Sequence, residues 1–241
     1  MKKIIIEVEG EEDDLEYLSQ KLNFEELNLV KKCYIESSGI IQDDENVYQN
    51  AESLIQNFNK ILKLDPRAIG SLKIKEVIYE KEGQRIHEST NSLRAIVRIV
   101  GRDLGLDYKH LFKCNCENDR VREALIFFDQ GYDWSNLYKA YETIRYDIVE
   151  RESIRNKPEE IHKEIAERGW AEEEKLGIFY CTAHNFKLAK YGARHARRVR
   201  NSKELGEFCR KVMKDKKPMD LSEAIELIRN LTIKWINSHK I

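Results

Sequence analysis

A chain of 241 residues with 41% hydrophobic and 35% charged side chains and three prolines can bury one large core or two modest ones, which excludes a wholly disordered protein. No apolar run approaches the ~20 residues needed to cross a bilayer, so a membrane partner is not expected. The formal net charge of −1 hides an uneven distribution along the chain.

In chain order, Ile4 to Val8 reads as a short β-branched strand, and the acidic run from Glu11 to Glu16 as a solvated loop or the start of a helix through Leu22. Val47, Ala51, Leu54, Ile55, Phe58, Ile61 and Leu62 recur at helical spacing ahead of Asp65-Pro66, which predicts an amphipathic helix over 47–64. Leu72 to Tyr79 is strand-like, Glu82-Gly83 has turn chemistry, and Gln84 to Glu88 fits as the returning strand; Leu93 to Val100 would follow as another. Past Cys116 helical periodicity dominates. Asp133 is placed as an N-cap for a helix with Trp134, Leu137, Tyr138, Tyr141, Ile144 and Ile148 on one buried stripe. Pro158 and Gly169 bracket a second helix, a third runs from Ala171 to about Ala183, and Asp220 with Glu223 forms a capping box. The last helix is expected to bury Leu221, Ile225, Ile228, Leu231 and Trp235. The expected fold class is therefore α+β: a small antiparallel-sheet N-terminal domain with helices over 1–116, then an α-helical bundle domain over 117–241 with five to six helices.

The five cysteines (Cys33, Cys114, Cys116, Cys181, Cys209) are odd in number, and the apolar stretch near Met1 is too short for an export signal. The expectation is a cytoplasmic protein with reduced thiols. Cys114-Asn115-Cys116 with His110 offers three soft or borderline ligands, and Cys181 or His184 could join them only through folding, so no metal site is assigned. His87-Glu88-Ser89-Thr90-Asn91 begins like a zinc-protease helix but ends in Asn, which cannot hold the zinc. Glu88 with Asp107-Tyr108-Lys109 loosely matches the carboxylate and lysine elements of metal-dependent nucleases. Neither a phosphate-cradling glycine loop nor a dinucleotide fingerprint nor a nucleophile elbow is present, and no cofactor is expected.

The strongest signal lies between Lys187 and Lys217, where twelve Lys and Arg face three acids. The rest of the chain holds 30 basic and 40 acidic residues, so the molecule is bipolar. Lys187, Lys190, Arg194, Arg197 and Arg198 fall at spacings of three and four, with Tyr191 and His195 between them and Arg200 and Lys203 beyond. Such an array suits a phosphate backbone, Tyr191 offering a stacking plane for single strands; Gly192 interrupts helical continuity, and a solvated face paired with the protein's own acids is the plainer reading.

Two resemblances bear on the C-terminal half. Trp134-Ser135-Asn136-Leu137-Tyr138-Lys139-Ala140-Tyr141-Glu142, Gly169-Trp170, Phe179-Tyr180-Cys181-Thr182-Ala183-His184-Asn185, Gly192 before Ala193-Arg194-His195, and Pro218-Met219 together resemble an uncharacterised bacterial protein family with a C-terminal helical module. That likeness covers about the last hundred residues and implies organisation, not mechanism. Arg155-Asn156-Lys157-Pro158-Glu159-Glu160-Ile161-His162 is similar to the Arg-polar-x4–6-His element of HEPN domains, helical modules of bacterial RNases and toxin partners. The resemblance implies that Arg155 would stabilise phosphate charge and His162 would move a proton. Arg194-His195 is a second, incomplete candidate, since no histidine follows Arg194 at that interval.

The leading expectation is a non-enzymatic binder of nucleic acid, RNA or DNA, or of another polyanion, through Lys187, Lys190, Tyr191, Arg194, Arg197, Arg198, Arg200 and Lys203. The alternatives are a metal-independent HEPN-type RNase in a toxin or phage-defence system, and a protein-interaction module whose basic face docks an acidic partner or a second copy.

Overall fold

The structure, a computed structural model, describes residues 3–9, 27–29, 34–38, 46–69, 71–81, 84–89, 98–99, 106–184 and 206–239. The chain divides into two compact units, Met1–Cys116 and Glu117–Ile241. Among the described residues it carries eight helices, and no helix is long and apolar enough to cross a membrane.

In the first unit β1 (Lys3–Glu9), β2 (Leu27–Leu29), β3 (Tyr34–Ser38), β5 (Lys73–Lys81) and β6 (Gln84–Ser89) pair antiparallel in the order β2-β3-β1-β5-β6. The short β4 (Ala68–Ile69) pairs with β7 (Arg98–Ile99). The helix expected through Leu22, most of the strand expected over 93–100 and the turn residues Glu82 and Gly83 lie outside the described residues.

Helix α1 (Val47–Leu62) buries all seven residues of its expected stripe and packs on β5, where Leu72, Ile74, Val77 and Ile78 are buried. Asn59 fixes the strand's start, donating to the Leu72 carbonyl at 2.9 Å and accepting from the Leu72 amide at 2.8 Å. At the end of α1 the buried Asp65 accepts from the Arg67 guanidinium and from the Tyr108 hydroxyl. Burial works against this carboxylate, but bonds from Arg67 and Tyr108 outweigh it and hold its pKa below the usual range. Tyr108 opens α2 (Tyr108–Glu117), which periodicity alone did not reveal.

The second unit contains α3 (Asp119–Gln130), α4 (Trp134–Glu152), α5 (Pro158–Glu167), α6 (Glu173–His184), α7 (Glu207–Val212) and α8 (Leu221–Asn237). Helix α4 is its axis, packing against α3, α5, α6 and α8. That position explains its composition. A helix contacted on several sides buries most of its circumference, and α4 hides Asn136, Thr143, Arg145 and Asp147 as well as the expected aromatic stripe.

Its start is capped by Asp133, whose carboxylate accepts from the Asn136 amide at 2.9 Å. Helix α5 ends in a Schellman motif, with the Trp170 amide donating to the Ile165 carbonyl and the Gly169 amide to Ala166; Gly169 takes φ +69°, which a side chain would resist. The capping box at Asp220 and Glu223 forms as its spacing suggests.

Two expectations are corrected. The buried face of α8 is Ala224, Ile228, Leu231, Thr232, Trp235 and Ile236, whereas Leu221 is 37% exposed and Ile225 half-buried. The capping turn projects beyond the packed neighbours, so the apolar side chain at its first position covers nothing. Second, Cys181 on α6 and Cys209 on α7 form a disulfide with Cα atoms 5.4 Å apart, against the expectation of reduced thiols throughout. Sequence spacing could not show that α7 folds back onto α6 and brings these two sulfurs together.

Candidate functional site

The residues Lys187, Lys190, Tyr191, Arg194, His195, Arg197, Arg198, Arg200 and Lys203 lie outside the described residues. The distal end of the basic stretch is described. Helix α7 and the segment after it present Arg210, Lys211, Lys214, Lys216 and Lys217 to solvent. Of these five, Lys216 alone reaches a carboxylate among the described residues, Glu174, at 2.5 Å. The other four form no ion pair with a described residue.

Helix α7 has only six residues and is positioned by its partner. Cys209 bonds to Cys181, and Val212 and Phe208 lie against Gly177 of α6, where an added Cβ would approach Val212 Cγ1 to 3.1 Å. Thr182 adds a polar tie, accepting from the Met219 amide at 3.2 Å. The two cysteines also bracket the chain from 185 to 205, so the disulfide closes a loop that holds seven of the twelve basic residues.

On the inner side of α6 lies a cluster the sequence did not announce. Arg145 of α4 is 8% exposed; Nη1 donates to Tyr138 Oη at 3.3 Å and Nη2 to Asn156 Oδ1 at 2.6 Å. Its guanidinium carbon stands 5.6 Å from the ring centres of both Tyr141 and Tyr180. Nε is buried with no acceptor, and no carboxylate forms an ion pair with Arg145 among the described residues. Burial pulls against the cation, and Tyr141, Tyr138, Tyr180 and Glu142 more than offset it, so Arg145 stays charged.

His162 of α5 is 1% exposed beside it, with Nε2 2.6 Å from Tyr141 Oη and Nδ1 without a partner. Burial first, and the Arg145 cation second, push His162 down to about 3, so the ring is neutral at physiological pH. Burial also raises the Tyr141 hydroxyl well above its ordinary value.

The pair implied by the HEPN-like spacing is therefore not brought together as a site. The Arg155 side chain is 74% exposed and bound to Glu160 at 2.5 Å, while His162 faces the interior. They stand seven positions apart in sequence, and the turn before α5 sends one outward and the other inward.

The metal alternatives find no cluster either. Cys114 Sγ and His110 Nε2 are 3.3 Å apart within α2, but among the described residues no three His, Cys, Asp or Glu side chains converge, and Cys181 is committed to its disulfide. Glu88 accepts from the Tyr79 hydroxyl at 2.8 Å across the hairpin, and Asp107 accepts from the His110 amide at 3.0 Å. Both carboxylates have structural partners.

A groove of about 1020 Å³ runs beside Trp170, Ile178, Met219 and Leu227. Five carboxylates and three lysines line it, the wrong balance for a polyanion, and Lys175 and Lys234 are already held by Glu172 and the Gly169 carbonyl. No family model matches this sequence, and no curated protein or solved structure matches it.

Proposed function

We propose that the protein is a non-enzymatic nucleic-acid binder, in which a small α+β N-terminal domain is followed by a helical bundle that presents the basic stretch from Lys187 to Lys217. The observation that carries this reading is the state of the described cations: Arg210, Lys211, Lys214 and Lys217 are exposed and form no ion pair among the described residues. Of the five described cations, Lys216 is taken by an internal carboxylate, Glu174. The other four, on one short segment, are available to phosphates, and each phosphate neutralised releases counterions. The residues proposed to bind are Lys187, Lys190, Tyr191, Arg194, Arg197, Arg198, Arg200 and Lys203, with the four distal cations extending the surface.

The test is a salt series with labelled single-stranded RNA, single-stranded DNA and duplex DNA. The logarithm of the affinity should fall linearly with the logarithm of salt concentration. Charge reversal at Arg210, Lys211, Lys214 and Lys217 should lower the slope on single strands by about 3, following the ~0.7 per contact of counterion release. Salt-insensitive binding, or no binding at low salt, overturns the reading and turns attention to an acidic protein partner. Cleavage on the same gel that is lost in His162→Gln would favour the RNase alternative.

A further inference from the structure

Arg145 is a buried cation whose polar partners are all neutral: one tyrosine hydroxyl, one carboxamide oxygen and two aromatic faces. Arginine does not shed its proton to relieve burial, so its charge must be met from outside itself. Elsewhere in this protein the same problem has a different answer, since the buried Arg67 lies against the carboxylate of Asp65.

One of the two hydrogen-bond partners of Arg145 is a surface side chain. Asn156 is exposed, sits in the segment between α4 and α5, and accepts from Nη2 at 2.6 Å. Its neighbours in sequence are Arg155 and Lys157; both are exposed, and Lys157 forms no ion pair among the described residues. Rotation of Asn156 would release Nη2 of the guanidinium at the loop that carries Lys157.

We propose that Arg145 is the floor of a phosphate-binding site, and that the Asn156 carboxamide oxygen occupies the place of a phosphate oxygen. A phosphate there makes charge-assisted bonds where the carboxamide makes a neutral one, and Lys157, next in sequence, adds a second cation to the loop. This site lies outside the Lys187–Lys217 stretch and does not depend on that stretch binding anything.

The experiment uses the full chain and two probes. Inorganic phosphate is compared with chloride at equal ionic strength by thermal unfolding and by titration of the guanidinium Nε–H resonances, and a short RNA with a 5′-phosphate is compared with the same RNA ending in a hydroxyl. Phosphate should raise the unfolding midpoint and shift one arginine resonance that is missing from Arg145→Met. In Asn156→Asp a tethered carboxylate pairs with Arg145, so the midpoint should rise without phosphate and phosphate affinity should fall at least tenfold. Asn156 is exposed, so this variant reads the site independently of Arg145→Met. A tenfold preference for the phosphorylated RNA identifies a nucleic-acid end as the source, and a response to inorganic phosphate without that preference identifies a small phosphate. No preference for either phosphate probe over its control, or unchanged phosphate binding in Asn156→Asp, overturns the site.

Discussion

Two sides of helix α4 handle buried charge in opposite ways. Arg145 and Asp147 are two positions apart, hence nearly opposite around the helix, and both are 8% exposed. Toward α8, Asp147 accepts from the Trp235 indole at 2.7 Å and from Arg151 at 2.8 Å, with His239 3.9 Å away. This carboxylate is locked into a structural tie between two helices. Toward α5 and α6, Arg145 has neutral hydrogen-bond partners and His162 is held uncharged. The contrast separates a side whose buried charge meets a counter-charge at bonding distance from one whose buried cation forms no ion pair among the described residues, and such a cation is where ligand chemistry is to be sought.

The sharpest way to break the comparison is to truncate each charge. Asp147→Ala leaves a buried indole N–H and a neighbouring guanidinium without their acceptor and should cost about 4 kcal/mol, read from urea unfolding. Arg145→Met strands no carboxylate and should change stability by less than about 1 kcal/mol. Similar large losses from both would mean that Arg145 is as structural as Asp147.

Next in size is the disulfide. Its cysteines stand 28 positions apart, and a closed loop of that length contributes about 3.5 kcal/mol in the chain-entropy account. Unfolding with and without a dithiol reductant should show that loss, with α7 fraying first because six residues cannot sustain a helix alone. An unchanged midpoint with both thiols verified as free would place the fastening of α7 in Gly177, Val212 and Phe208 instead.

A smaller effect than the disulfide's is that of pH. The His162 pKa is lowered by folding, so the unfolded chain takes up its proton near 6.5 while the folded one resists to about 3. Stability conferred by the neutral ring is complete above pH 6.5 and declines as pH falls through that window. Between pH 7 and 5 the loss should be about 2 kcal/mol, and His162→Gln should remove it. If the variant keeps the same pH slope, the titrating group is elsewhere.

Much of the helical unit was legible from local signals. Asp133, Pro158 with Gly169, and Asp220 with Glu223 act through bonds to residues within a turn, so spacing suffices to find them. The stripe of α1 was equally plain because that helix packs on one side. The stripe of α8 was misphased at Leu221, since which edge of an apolar face is covered depends on its neighbours. Helices α2 and α3 escaped because their charged residues obscured the period, although Asn118 caps α3 by accepting from the Arg120 and Val121 amides.

For function, the sequence by itself determined a bipolar charge distribution and the chemistry available at each position, because composition and local order are properties of the chain alone. Tertiary structure decided which charges are answered. It turned Arg155 outward and His162 inward, joined Cys181 to Cys209, and buried Arg145 among tyrosines while giving Asp147 the Trp235 indole and the Arg151 guanidinium. A charged residue in mid-helix reads as solvent-facing until the other helices are placed around it. Burial and partnership are properties of residues far apart in sequence, and only folding brings those together.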